Sequence, residues 1–276
     1  MTSTEEDVYI DDIRLQDIGV IVKLDSQEPI LPSTIDYTVY IPGRHGAYDY
    51  GAYRGPLPFD LECMFQRMSY SDLKVKIREF VELFIDTRGR PKTVKLKFGD
   101  EMDKFYWVRF SGSIPLNRLT GMPSFTLPLI AIENPNANFV ESSEEITWDS
   151  DTPFMSDVPF DAKYVYDIKS PQDLRIHNFG NLIVEPIIEI VGSASSLTLN
   201  LNGVTVTIGA FSNSTILIDS KEYIALLNGA DYTGEIIDGM TGNFEDFLLE
   251  TGENIVGVSG SNLNLKITFK FHAQYK

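Results

Sequence analysis

The chain has 276 residues, a formal net charge of −17 and a hydrophobic content of 43%, which suffices for one large domain or two ordinary ones. So large an excess of negative charge argues against static binding to a nucleic-acid backbone. The single cysteine, Cys63, excludes a disulfide framework and a cysteine-based metal site.

The negative charge is concentrated in the second half of the chain. Residues 1–140 carry 16 Lys and Arg against 20 Asp and Glu, whereas residues 141–276 carry 7 against 20. We therefore predict an N-terminal domain over 1–140 and a C-terminal domain over 141–276. The acidic start has no apolar core of a signal peptide, and no apolar run approaches about 18 residues, so we expect a soluble protein made in a reducing cytoplasm, without membrane contact.

The first half predicts mainly β-structure with one helix. Residues 8–24 indicate two strands joined by a turn near Gly19, and residues 37–41 favour a third strand. Strict alternation of apolar residues predicts a strand over 57–65, with Cys63 buried in it. An amphipathic helix follows, capped by Ser69 or Ser71 and ending near Gly89. Its apolar stripe is Leu73, Ile77, Phe80, Val81 and Phe84.

A hairpin is predicted over 92–110, and its first strand is basic on one face. Two interpretations are open. The lysines form a solvated face that protects a sheet edge, or the hairpin is an arm that reaches a partner. Trp107 lies on the returning strand. A last strand over 125–131 ends before Asn134-Pro135.

The stretch YIPGRHGAYDYGAYRGPLPFDLECMF, residues 40–65, is the most irregular in the chain. Glycine widens the range of allowed backbone conformations and proline restricts it. The pattern therefore predicts a loop of defined backbone conformation that leads into the strand at 57–65. A loop this rich in tyrosine and arginine is typical of a contact surface. The candidate subunit or partner interface comprises Gly43, Arg44, Gly46, Tyr48, Tyr50, Tyr53, Arg54 and Trp107.

Residues 136–175 are polar, acidic and interrupted by proline, and they predict a linker. From residue 182 the pattern is all β, with turn signals about every ten residues. Asn202-Gly203 lies between two alternating runs and is the strongest hairpin signal in the chain. The last strand is predicted over 263–271. The second half therefore predicts a β-sandwich.

The sequence offers no active site. Arg44-His45-Gly46 matches the core of the histidine phosphatases, but the further arginine that they need shortly after it is absent, and the glycine-rich stretch lacks the Lys and Ser/Thr of a P-loop. The acidic cluster Asp149, Asp151 and Asp157 lacks the glycine and terminal glutamate of a calcium loop. We expect no enzyme, no cofactor and no metal.

A sugar-binding sandwich is the main alternative from the residues alone. Such a site needs an exposed aromatic platform flanked by polar side chains. The available aromatic residues are Trp148, Tyr164, Tyr166 and Tyr232. Packing inside the protein is the competing explanation for each of them.

An ordered set of short motifs resembles the distal tail protein (Dit) family of long, non-contractile-tailed bacteriophages. The N-terminal part matches in IGV at 18–20, IPGRHG at 41–46, the amphipathic helix, the Trp107 hairpin and NP at 134–135. The C-terminal part matches in NFGN at 178–181, LIDS at 217–220, NG at 228–229 and GEN at 252–254. The resemblance covers nearly the whole chain.

This resemblance implies a structural hub of the phage tail tip. It implies a fold with an N-terminal ring-forming β domain, which carries one helix and a β-hairpin arm, and a C-terminal galectin-like or carbohydrate-binding-module-like sandwich. The expected partners are five further copies in a hexameric ring, the major tail-tube protein, the tail-associated protein, and receptor-binding or other baseplate components. The alternatives are a glycan-binding protein that contacts the host cell wall and another structural protein of the tail tip.

Overall fold

The computed structural model describes residues 5–26, 29–116, 123–142 and 162–276. The chain forms two compact units, Met1–Ala137 and Asn138–Lys276, and both are mainly β. In the described part of the chain, no helix has the combination of length and apolarity that a bilayer crossing requires.

The first unit consists of one large antiparallel sheet, a helix and a separate hairpin. The main sheet has the strand order β1-β4-β7-β10-β9-β8-β2-β3, while β5 and β6 pair only with each other among the described strands. The elements are β1 (Glu5–Glu6), β2 (Val8–Ile10), β3 (Ile13–Arg14), β4 (Val20–Lys23), β5 (Thr34–Val39), β6 (Tyr48–Arg54), β7 (Leu57–Phe65), α1 (Tyr70–Phe84), β8 (Thr93–Phe98), β9 (Lys104–Phe110) and β10 (Ser124–Ala131).

Strand β7 forms the centre of the first unit, as its alternation predicts. It pairs with β4 on one side and with β10 on the other. Its inward side chains are all buried: Leu57, Phe59, Leu61, Cys63 and Phe65. Alternate residues of a strand point to opposite faces, so the pattern places one complete face of β7 in the core.

Helix α1 packs against this core through a cluster of aromatic rings. The ring centroid of Phe80 lies 5.2 Å from those of Phe84 and Phe125 and 6.1 Å from that of Phe65. The Ser69 hydroxyl accepts a hydrogen bond from the Asp72 N–H and caps the helix, as predicted.

The helix differs from its prediction at the C-terminal end. It ends at Phe84, and the following residue, Ile85, is extended and bridges Pro91. Gly89 instead adopts φ 77° inside a turn closed by the Gly89 N–H and the Asp86 carbonyl. Val81 is 45% exposed, so the apolar stripe is narrower than predicted.

The predicted turn near Gly19 and the predicted hairpin over 92–110, which is β8 with β9, are both present, but two details differ. Between β3 and β4 the chain forms a 3-10 turn, Leu15–Ile18, which Gly19 ends at φ 83°. Strand β8 pairs with both β2 and β9, so the lysine-bearing strand is neither a sheet edge nor part of a projecting arm. Lys97 forms an ion pair with Asp12, which neutralises part of the basic face inside the unit.

The second unit is a two-sheet sandwich with one continuous core. One sheet has the order β12-β22-β14-β17-β18-β19 and the other β13-β21-β15-β16-β20; β11 pairs with β23. The elements are β11 (Ala137–Glu141), β12 (Val165–Ile168), β13 (Gln172–Asn178), β14 (Ile187–Ala194), β15 (Ser196–Leu201), β16 (Val204–Ile208), β17 (Phe211–Asp219), β18 (Ile224–Leu227), β19 (Ala230–Asp231), α2 (Thr233–Asp238), β20 (Met240–Thr241), β21 (Gly252–Ser261), β22 (Asn264–Lys270) and β23 (His272–Tyr275).

The Asn-Gly hairpin is confirmed, since Asn202 and Gly203 adopt φ 50° and 85° between β15 and β16. The predicted last strand at 263–271 corresponds to β22, and β23 follows it. The expected linker at 136–175 is not a linker where it is described, because Phe139, Tyr164 and Ile168 belong to the core of the sandwich. The short helix α2 has no counterpart in the predictions.

We expect Phe80→Ala to lower the free energy of unfolding of the first unit by about 3–5 kcal/mol, because it removes a ring that packs against three others. Urea denaturation, followed by the reaction of Cys63 with a thiol reagent, measures this change. Burial raises the pKa of Cys63 to about 12, so the thiol of the folded unit stays protonated and unreactive.

The exposed neighbour Val81 supplies the control. Val81→Ala should leave the urea midpoint nearly unchanged, because this side chain is 45% exposed. Rapid labelling of Cys63 in the native wild-type protein at about pH 8 would contradict the assignment of this thiol to the core.

Candidate functional site

Strands β5 and β6 form a hairpin that lies almost entirely in solvent. Every residue from 33 to 54 is exposed. At the base of the hairpin the Gly55 N–H donates to the Ser33 carbonyl at 2.6 Å, and the Arg54 guanidinium donates to the Asn136 side chain. The hairpin is therefore held by hydrogen bonds at its base and exposed to solvent along its length.

The register gives this hairpin two chemically different faces. Ile35 pairs with Tyr53 and Val39 with Tyr48, and directly paired residues lie on the same face. Tyr37, two residues from each of Ile35 and Val39, shares that face. The opposite face carries polar or charged residues at most positions: Thr34, Asp36, Thr38, Asp49 and Arg54.

The apolar face has no core beneath it in its own unit. None of its residues belongs to the buried cluster of the first unit or packs against it. Ten of the 22 exposed large hydrophobic side chains in the described chain lie between residues 30 and 53. Tyr37 and Tyr53 contact each other edge to face, with ring centroids 5.7 Å apart. An apolar patch of this kind is typical of an interaction surface.

Glycine sets the shape of the loop at 40–47 and of the irregular pairing in β6. Gly43, Gly46 and Gly51 adopt φ of 85°, 84° and 99°, and a Cβ added at any of them would meet no atom within 4 Å. Glycine is therefore required at these positions by the backbone conformation and not by a lack of space for a side chain. The Arg44 guanidinium lies 4.0 Å from the centre of the Tyr48 ring, a cation–π contact that holds the loop against the strand.

Seven of the eight predicted interface residues lie on this hairpin, and four of them, Tyr48, Tyr50, Tyr53 and Arg54, are on a strand rather than in the predicted loop. Trp107 lies apart on β9, in the main sheet, where its ring packs edge to face on Phe105.

Sequence reasoning missed three residues of the apolar face, Ile35, Tyr37 and Val39. The alternation of TIDYTV contained the signal, because its apolar residues recur at every second position. Only the pairing with β6 shows that these residues and the tyrosines share one face.

The other candidate sites do not gain support from the structure. Tyr164 is buried and its hydroxyl donates to the His177 carbonyl; burial raises its pKa. The Tyr166 hydroxyl donates to the Arg175 carbonyl, and Tyr232 packs against the core. Trp148 and the acidic cluster at 149–157 lie outside the described residues. No metal-binding group of His, Cys, Asp or Glu occurs among the residues that the structure describes.

Residues 13–131 match the phage tail protein RIFT-related domain family. The whole chain is similar in fold to the Dit protein of phage SPP1, which is described as a hub of the adsorption apparatus in phages that infect Gram-positive bacteria. The TM-score is 0.65 at 15% identity, over 97% of this chain and 98% of that one.

Two structures of the phage p2 baseplate in its activated conformation are also similar. The strontium form has a TM-score of 0.43 at 14% identity, over 97% of both chains. The calcium form has a TM-score of 0.43 at 13% identity, over 96% of this chain and 97% of that one. No curated protein matches the sequence.

The resemblance to the distal tail proteins is confirmed by two findings. The family match covers most of the first unit, and the fold of the SPP1 protein extends over both units. The predicted mainly β fold is confirmed with it.

We expect Tyr50→Ser to change the free energy of unfolding of the first unit by less than about 0.5 kcal/mol, because Tyr50 is 69% exposed and belongs to no core. Urea denaturation measures this. Phe59→Ala, on the next strand along the chain, β7, is the positive control and should lower the free energy of unfolding by about 3–5 kcal/mol. A loss above about 1 kcal/mol for Tyr50→Ser would mean that the hairpin folds back on its own unit.

Proposed function

We propose that this chain, in which residues 13–131 match a phage tail domain, is a structural hub of a phage tail tip or baseplate. It acts by assembly rather than by catalysis. Six copies form a ring through their first units, and the ring joins the tail tube to the tail-associated protein. The second units, galectin-like sandwiches, hold receptor-binding or other baseplate components.

The observation that carries this proposal is the exposed amphipathic hairpin in the family-matched unit. A ring of identical subunits needs two different patches on each copy, one for each neighbour. The apolar face of β5 and β6 supplies one such patch. Covering its tyrosines and aliphatic residues with another surface removes them from water and lowers the free energy. Tyrosine is also among the residues enriched at protein interfaces.

The charge distribution supports the same arrangement. The first unit carries a net charge of −4 and the second −13, counted from the sequence on either side of residue 137. Nearly balanced units can pack closely without strong repulsion, whereas six strongly acidic units repel one another. We therefore place the first units in the ring and the second units at its periphery.

The glycan-binding alternative receives no comparable support. Of its four predicted platforms, Tyr164 is buried, while the hydroxyl of Tyr166 is bonded to the backbone and Tyr232 packs on the core.

We expect the purified protein to form six-copy rings and Tyr37→Ser to reduce their population at least about tenfold, because this change removes an aromatic side chain from the apolar face. Native mass spectrometry measures the copy number. Arg44→Ala and Gly43→Val should also impair assembly, the first through the loss of its contact with Tyr48 and the second through strain at φ 85°.

Tyr70→Ser is the matched control, because Tyr70 and Tyr37 are both 61% exposed and both lie in the first unit. This control should assemble as the wild type does. Rings of normal abundance from Tyr37→Ser would refute the role of the hairpin. A wild-type protein that stays monomeric even with its tube partner would refute the ring.

Negative-stain microscopy of the same rings tests the placement of the units. We expect six lobes to project outward, because mutual repulsion of the acidic second units disfavours a shared lumen. Lobes that line the central channel would overturn this placement.

A further inference from the structure

The second unit contains an open cleft of about 460 Å³. Its walls come from the turn before β18, the end of α2, β20 and the 3-10 turn Phe244–Asp246. The lining side chains used below are those of Tyr223, Ile237, Met240, Asn243, Phe244 and Glu245.

The larger part of the exposed lining of this cleft is apolar. Ile237 is 54% and Tyr223 44% exposed. The rings of Tyr223 and Phe244 contact each other edge to face with their centroids 5.8 Å apart. Met240 adds a flexible thioether chain that can adapt its shape to an apolar ligand. The cleft therefore combines an aromatic pair with a flexible methionine side chain.

The segment that supplies every lining residue of the cleft is rich in carboxylates and poor in cations. Residues 219–250 contain eight Asp and Glu but only one basic residue, Lys221. The exposed acidic residues of this segment are Glu222, Asp231, Glu235, Asp238, Glu245, Asp246 and Glu250. None of the seven takes part in an ion pair between residues that the structure describes.

This combination selects the chemistry of the occupant. The exposed carboxylates repel anionic polymers and attract ammonium and guanidinium groups. Aromatic rings such as those of Tyr223 and Phe244 also attract cations, and the apolar walls favour an aliphatic side chain. A peptide that places Lys or Arg next to Leu or Ile satisfies both requirements at once, which a neutral sugar does not.

We propose that this cleft binds a basic, apolar peptide segment of another protein. The proposal deepens the proposed hub function, because it names the place at which the second unit holds a partner. It does not depend on ring formation, since the cleft lies within one unit. Ring assembly and peptide binding can therefore fail separately.

The test uses the full chain and a fluorescent peptide, GKLRLKG, with GELELEG as the acidic counterpart. Fluorescence anisotropy should show saturable binding of the basic peptide alone, and the affinity should fall when NaCl is raised from about 50 to about 300 mM. Native mass spectrometry of each sample records its oligomeric state, so a loss of peptide binding is distinguished from a loss of the ring.

Two variants locate the binding. Phe244→Ala removes one ring of the aromatic pair, and Glu245→Gln removes one lining carboxylate; we expect each to weaken binding about fivefold or more. Ile255→Ala and Glu185→Gln are the controls, because they change an exposed apolar residue and an exposed carboxylate outside the cleft and should bind as the wild type does.

Three results would overturn the proposal. One is the absence of peptide binding up to about 1 mM, and another is equal binding by all four variants, which would indicate attraction to the general negative charge. The third is binding of a neutral oligosaccharide that displaces the peptide and is lost in Phe244→Ala, which would make the cleft a sugar site.

Discussion

The pairing of β7 with both of its neighbours is the constraint on which the first unit depends. One face of this strand is fully buried, and its register with β10 continues over eight residue pairs. A shift of one residue would turn that whole face into solvent, so the register is strongly specified. The hairpin joins this strand through Gly55 and Pro56 alone. The most exposed element of the unit is thus attached to its most firmly held strand.

The sequence predicted those parts of the fold that depend on local periodicity. The alternation in β7 and β10, the Ser69 cap and the Asn202-Gly203 turn each follow from chemistry within a few residues. The strands near 136–175 were missed because this stretch is polar and acidic. It has too few apolar residues to show the alternation that predicts a strand. Only long-range pairing, such as that of β12 with β22, shows that Tyr166 and Ile168 belong to the sandwich.

The candidate site was predicted as a set of residues but not as a shape. The tyrosines and glycines of 43–54 were identified, because their residue types are unusual for a connection between strands. Their common face with Ile35 and Tyr37 was not, since cross-strand pairing is a relation between distant positions. Trp107 was grouped with them because its hairpin was a candidate for an arm that reaches a partner, but this residue lies in the main sheet.

The two strands of the hairpin have a consequence for the isolated chain. Among the described strands each pairs only with the other, so both outer edges present unpaired backbone donors and acceptors. Such edges can recruit strands of other chains and start amyloid-like polymers. The bulge between Asp36 and Thr38 and the charges of Asp36, Asp49 and Arg54 interrupt a flat edge. The same side chains that leave one face polar therefore also oppose aggregation of the isolated chain.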